Sequence, residues 1–222
     1  MGLKVVRWLK WGAVALAVAL ATLLAVRAYD SQRGPPLDLW HTFVPHELSA
    51  TEIDKSDWSQ YMAAEAKAVA EVRAEVTERL EPQARHAGNR YFADSPVYPG
   101  RFARDWNRSY VMQPQGAPAG AVVLLHGLTD SPYSLRHIAQ RYVESGYVAV
   151  AIRMPGHGTV PGGLAAVEWE QWTAATRLAV REARRLAGPS VPLHVIGFSN
   201  GGALAMKHAL EAAADKTLAR PD

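Results

Sequence analysis

The hydrophobic and polar positions pass through several distinct regimes along the chain. The start, MGLKVVRWLKWGAVALAVALATLLAVRAYD, is basic and then apolar, with an uncharged run from Trp11 to Val26 between Lys10 and Arg27. As a helix that run spans about 24 Å, slightly short of a hydrocarbon core of about 30 Å. Interfacial Trp8 and Trp11, with Lys10 and Arg27 extended toward the headgroups, close the difference. The run is apolar on every face, which argues against a half-buried core helix. A single N-terminal membrane anchor is expected over residues 1–28. The open alternative is a cleaved signal peptide ending at Val26-Arg27-Ala28, with a secreted or periplasmic product. The basic residues before the run favour a body outside the cytoplasm, although Arg27 and Arg33 beyond it blur that asymmetry.

Residues 29–55 show no clear period, and Gly34-Pro35-Pro36 breaks regular structure, so a linker or stalk is expected. From Ser56 the period becomes helical. Trp58, Met62, Ala66, Val69, Val72, Val76 and Leu80 recur at three- and four-residue steps, with Ser56 as the expected N-cap and Pro82 as the stop. The charges opposite read as a solvated face. Together, 29–106 reads as a linker and amphipathic helix region.

From residue 107 the pattern alternates between strand and helix. SYVMQP (109–114), AVVLLHG (121–127), YVAVAIRM (147–154) and PLHVIGF (192–198) read as strands, the second as a continuous apolar run buried on both faces. Ser131-Pro132 opens a helix toward Ser145, AVEWEQWTAATRLAVREARRLAG is a long helix, and another begins directly after Ser199. This alternation predicts an α/β domain over 107–222, a mostly parallel sheet with helices on both faces.

Composition narrows the function classes. Of 222 residues, 49% are hydrophobic and 20% charged, which excludes wholesale disorder. A net charge of +3 without an aromatic-interleaved basic stripe argues against nucleic-acid binding. The absence of cysteine removes disulfides and thiolate metal sites. No cofactor or metal site is expected, and composition leaves the oligomeric state open.

The candidate chemistry lies in HVIGFSNGGALA, residues 194–205. Gly197-Phe198-Ser199-Asn200-Gly201 matches G-x-S-x-G between an apolar strand and a helix. A serine on such a turn is pushed out at the carboxyl edge of the sheet, and Gly197 and Gly201 keep its surroundings small. A tetrahedral oxyanion needs preorganised donors. The backbone N–H groups of Asn200, after the serine, and of Leu128, after His126-Gly127, are the natural pair. His126 reads as loop support. Gly156-His157-Gly158, in the loop after the next strand, also reads as loop-stabilising, with His157 as a substitute base the lesser alternative.

His126-Gly127, Gly156-His157-Gly158 and Gly197-x-Ser199-x-Gly201, in this order and between these elements, resemble the α/β-hydrolase fold. Within it they are similar to the carboxylesterase, monoacylglycerol-lipase and serine-aminopeptidase-like branch, over roughly residue 107 to the end. The resemblance implies Ser199 as nucleophile, Leu128 and Asn200 as oxyanion donors, and a small-molecule acyl ester as substrate. It also implies an acid and a histidine on strand ends after the nucleophile. After Ser199 the chain has His208, inside the helix behind the serine, and the acids Glu211, Asp215 and Asp222. None matches those positions, so a C-terminally truncated hydrolase domain is expected, impaired as it stands. A thioesterase or peptidase of the same fold remains open, as does a non-catalytic membrane-anchored binding or scaffold module.

Overall fold

The computed structural model describes residues 2–34 and 36–222, with the backbone alone for Leu3, Lys4 and Val5. The expected break at Gly34-Pro35-Pro36 therefore falls, at Pro35, outside the described residues, as does the Lys4 side chain. By contact the chain divides into Met1–Leu37 and Asp38–Asp222.

In the first unit, helix α1 covers Gly2–Gln32. Within its stretch Val6–Gln32 an 18-residue window reaches a mean hydropathy of 2.0, and the stretch is long and apolar enough to cross a membrane. Residues 29–32, expected in the stalk, continue this helix, because nothing before Gly34 opposes helical geometry.

The second unit is built on a four-stranded sheet in the order β1-β3-β2-β4. The strands are β1 Tyr110–Met112, β2 Gly120–Leu125, β3 Tyr147–Ile152 and β4 Leu193–Gly197. β2 pairs parallel with β3 and β4, and β1 pairs antiparallel with β3. Helices Arg136–Glu144 (α5), Trp169–Ala187 (α6) and Asn200–Ala214 (α7) follow β2, β3 and β4 in turn. The strand period of two separates the core into two faces. Ala121, Val123 and Leu125 face α6 and α7 with Leu178, Ala179 and Leu204. Val122 and Leu124 face α5 with Leu135 and Ala139. β2 is buried along its whole length, as a strand with helices on both faces must be.

Residues 38–55, expected in the linker, belong to the compact unit Asp38–Asp222 together with the amphipathic helix that follows them. Helices Leu39–Thr42 (α2), Ala50–Lys55 (α3) and Trp58–Val72 (α4) lie in the same compact unit as the sheet. Ile53 and Tyr61 belong to the core on the α6 face. The cap positions also differ from expectation. Ser56 ends α3, whereas Asp57 caps α4 by accepting from the Gln60 N–H at 2.8 Å. The helix passes at Arg73–Thr77 into a π-helical turn, short of Pro82. Its buried face runs through Tyr61, Glu65, Ala68 and Val72, rotated from the expected one, and Ala66 is exposed. The rotation follows from Glu65, a charged residue that the apolar period passes over and that the fold buries for its partners.

Candidate active site

Ser199 sits between β4 and α7 at φ 52°, ψ −116°. Positive φ is costly for a residue with a Cβ, and among the described residues the non-glycine cases are Ser199 and Thr129 (φ 60°). Both lie at the carboxyl edge of the sheet, Ser199 after β4 and Thr129 four residues after β2. The turn closes tightly because its flanks carry no side chains. A Cβ on Gly197 would meet the Gly201 carbonyl, and a Cβ on Gly201 would meet the Leu125 carbonyl. The Phe198 N–H donates to the Leu125 carbonyl at 3.0 Å and the Gly201 N–H to the Phe198 carbonyl at 2.9 Å. Ser199 is exposed, and its hydroxyl has no hydrogen-bond partner among the described residues.

The loop after β2 lies beside this turn. A Cβ on Gly127 would stand 3.1 Å from the Phe198 ring. The Asp130 N–H returns to the Gly127 carbonyl at 3.3 Å, which exposes Leu128 and Thr129 at the tip. Neither the Leu128 nor the Asn200 backbone N–H finds an acceptor among the described residues. Two unspent donors thus occupy the same edge as the serine, and Asn200 opens a 15-residue helix whose dipole adds positive potential there.

His126 is buried, with both ring nitrogens engaged. Nδ1 donates to the Gly127 carbonyl at 2.9 Å, and Nε2 accepts from the Met154 N–H at 3.0 Å. Burial holds its pKa down at about 4, the nearby His157 adding to the fall. A neutral ring with no free nitrogen ties the loop after β2 to the end of β3. His157 is 2% exposed and its pKa is also lowered, chiefly by burial. Its Nδ1 donates to the Pro155 carbonyl at 3.0 Å, and its ring meets His126 edge-on at 5.0 Å between centroids. Gly156 and Gly158 hold positive φ around it, and a Cβ on Gly158 would lie 2.7 Å from the Asn107 carbonyl. His208 is buried in α7 with Nε2 on the Ala219 carbonyl at 3.0 Å, away from the sheet edge.

An ion cluster that sequence reasoning missed grips the loop after β3. The Arg153 guanidinium, 1% exposed, pairs with Glu47 at 2.7 and 2.9 Å and with Glu65 at 3.3 Å. Burial opposes its charge, but the two carboxylates win and the pKa is raised. Glu47 also accepts from the Gly156 N–H at 2.9 Å, and Arg153 donates to the His157 carbonyl at 2.9 Å. Glu65 further accepts from Ser109 Oγ at 2.6 Å and from Arg108 at 3.2 Å. The one available signal was Arg153 itself, a cation at the end of an apolar strand. Among the described residues no group of three or more His, Asp or Glu has metal-holding geometry.

Residues 116–219 match the family described as serine aminopeptidase, S33. A thermostable monoacylglycerol lipase from Bacillus sp. (strain H-257) is 29% identical over 92 residues, 41% of this chain and 35% of the relative. Among solved structures, one reported with the metagenome-derived lipolytic enzymes LipS and LipT aligns at 29% identity and TM-score 0.44, covering 49% of this chain and 42% of that one. Est1E of Butyrivibrio proteoclasticus, with bound ferulic acid, aligns at 22% identity and TM-score 0.41, covering 50% and 45%. The chain thus spans less than half the length of each of these relatives. Over 116–219, the stretch that holds the serine turn and most of the sheet, the chain is thus similar to the serine aminopeptidase, S33, family of α/β-hydrolases.

Proposed function

We propose that the chain carries the nucleophile half of a membrane-anchored serine hydrolase acting on carboxylic esters. The observation that carries this reading is Ser199, held at φ 52° on a strand-to-helix turn beside two backbone N–H groups without acceptors among the described residues. In this reading Ser199 Oγ attacks the ester carbonyl carbon and its proton passes to a base. The carbonyl oxygen becomes an oxyanion held by the Leu128 and Asn200 N–H groups. Collapse breaks the bond to the alcohol and leaves an acyl-enzyme, which water hydrolyses. The match to a lipase relative supports an ester as substrate.

His126 and His157 serve the loops, since their Nδ1 atoms are bound to backbone carbonyls and burial keeps both rings neutral. No histidine among the described residues bonds Ser199, so a polypeptide of these 222 residues turns over slowly. Loss of the base lowers turnover by on the order of 10⁴–10⁶, while oxyanion donors alone retain about 10³ over water. The apolar stretch of α1 serves as the anchor through residues 11–26, with the body outside the cytoplasm. The test is hydrolysis of p-nitrophenyl butyrate by the purified chain and by Ser199→Ala. A weak rate that Ser199→Ala removes supports the reading. A rate equal in both variants overturns it.

A further inference from the structure

The turn that carries the Leu128 N–H is held at both ends. At its start, His126 Nδ1 donates to the Gly127 carbonyl at 2.9 Å, and His126 Nε2 accepts from the Met154 N–H at 3.0 Å. At its end, Ser131 Oγ donates to Asn107 Oδ1 at 2.8 Å, across 24 residues of chain. Ser131 is buried, so water competes little for this bond. Between the two clamps lie Leu128 and Thr129, both exposed, with Thr129 at φ 60°. A threonine is strained at that angle, so the turn keeps its shape only while its ends are fixed. The first clamp lies wholly within the stretch that matches the hydrolase family. The second reaches outside it, because Asn107 precedes β1.

The Asn107 amide has one orientation. Its Nδ2 and its backbone N–H both donate to Asp105 Oδ1 at 3.0 Å. A carboxylate only accepts, so the amide nitrogen faces Asp105 and Oδ1 is turned toward Ser131. Oδ1 cannot donate, so the Ser131 hydroxyl hydrogen is committed to it. Among the described residues this hydroxyl makes no cap bond to the helical turn that Ser131 opens, which leaves Asn107 as its partner. The Ser131 N–H in turn donates to Asp130 Oδ1 at 2.7 Å, and the Asp130 N–H closes on the Gly127 carbonyl at 3.3 Å. The position of Asn107 is passed in this way, through Ser131 and Asp130, to the turn that exposes the Leu128 N–H.

That turn stands against the serine loop. A Cβ on Gly127 would lie 3.1 Å from the Phe198 ring and 3.4 Å from the Phe198 carbonyl. An oxyanion donor is effective when it is already in place as charge develops, and a donor that must first reorganise loses that advantage. We infer that Asn107 is a positioning residue for the reaction at Ser199: through Ser131 it holds the turn that presents the Leu128 N–H. The catalytic consequence rests on the hydrolase reading; the clamp itself does not.

The test compares the full chain, in detergent micelles, with Asn107→Ala, Ser131→Ala, Ser131→Thr and the double variant Asn107→Ala, Ser131→Ala. Backbone amide relaxation by NMR reads the turn directly. The Leu128 and Thr129 order parameters are expected near the rigid value of about 0.85 in the unsubstituted chain and below about 0.6 in each alanine variant. Ser131→Thr, which keeps the hydroxyl, restores them. Hydrolysis of p-nitrophenyl butyrate, less the rate of Ser199→Ala, reads the consequence. In each alanine variant kcat falls about tenfold, less than for outright loss of a donor, and KM is unchanged, because the donor acts on charge present only in the transition state. The double variant loses no more than either single one, since both remove the same hydrogen bond. Ser131→Thr regains kcat. Order parameters that stay high in Asn107→Ala overturn the inference whatever the activity. So does a mobile turn with unchanged kcat, or a mobility that spreads equally to the amides of β2 and β3. Absence of any Ser199-dependent turnover in the unsubstituted chain defeats the hydrolase reading and not the clamp, on which the relaxation data still decide.

Discussion

Glu47 grips Arg153 through two oxygens, at 2.7 and 2.9 Å, across 106 residues of chain. The pair fastens residues 38–106 to the loop after β3. Arg153→Met leaves Glu47 and Glu65 buried without their shared cation, which destabilises by about 3–5 kcal/mol. Glu47→Gln keeps an acceptor for the Gly156 N–H and costs less, about 1–3 kcal/mol. Urea denaturation of both variants checks the order. Equal stability of Arg153→Met and the unsubstituted chain contradicts it.

Acid weakens the fold through the buried histidines. The His126 pKa is lowered from 6.5 to about 4 on folding, and His157 is lowered in the same direction. Between these values the unfolded imidazole binds a proton that the folded one refuses. The contribution is therefore complete above pH 6.5 and is lost as pH falls through about 4. For His126 the loss is on the order of 3 kcal/mol. Denaturation midpoints across this range should fall with acid, and His126→Gln, which keeps an acceptor for the Met154 N–H, should flatten the slope.

Gly201→Ala drives a methyl group into the Leu125 carbonyl, backbone against backbone, where neither side can yield. The expected cost is about 1–3 kcal/mol or more. Gly202→Ala, whose Cβ would meet nothing closer than 3.4 Å, serves as the tolerated control. Thermal unfolding of the two variants should separate them by several degrees.

Covalent labelling tests the serine independently of turnover. A fluorophosphonate probe should label the chain slowly and solely at Ser199, with labelling absent in Ser199→Ala. Peptide mass mapping reads the site. Labelling elsewhere at comparable rate removes Ser199 from its proposed role.

For the anchor, carbonate-washed membranes should retain the chain, and deletion of residues 1–37 should release it. A soluble product beginning at Tyr29 points instead to signal cleavage.

The β4 edge makes a further prediction for the released polypeptide of residues 38–222. Asp222 covers one position of that edge, its N–H donating to the Leu193 carbonyl at 3.0 Å and its carboxylate accepting from the Leu193 N–H at 2.6 Å. Two residues on, the outward backbone groups of Val195 have no partner among the described residues, and Phe198, Met206 and Leu210 are exposed nearby. An open edge beside apolar side chains invites pairing. Concentration-dependent association is expected in sedimentation velocity, with a charged substitution at Val195 reducing it.

The elements that local chemistry dictates were legible in the chain. Apolar runs at 121–127, 147–154 and 192–198 became β2, β3 and β4 within two residues at each end, because burial on both faces leaves no room for polar alternation. The turn at Ser199 was legible because only residues without a Cβ fit where strand and helix cross at Gly197 and Gly201. Other features answer to groups distant in sequence. Glu65 looks like a solvent-facing residue of an amphipathic helix until Arg153, Arg108 and Ser109 arrive to satisfy it. That satisfaction rotates α4, while Glu47 on Arg153 and Ile53 in the core bring part of the expected stalk into the body. Burial of a charge is decided by what stands opposite it in space, and no period along the chain carries that information. The same holds for the cleft at His157. The motif placed that residue in a loop, but the Arg90 and Tyr91 side of the cleft exists only once residues 38–106 have folded onto the sheet edge.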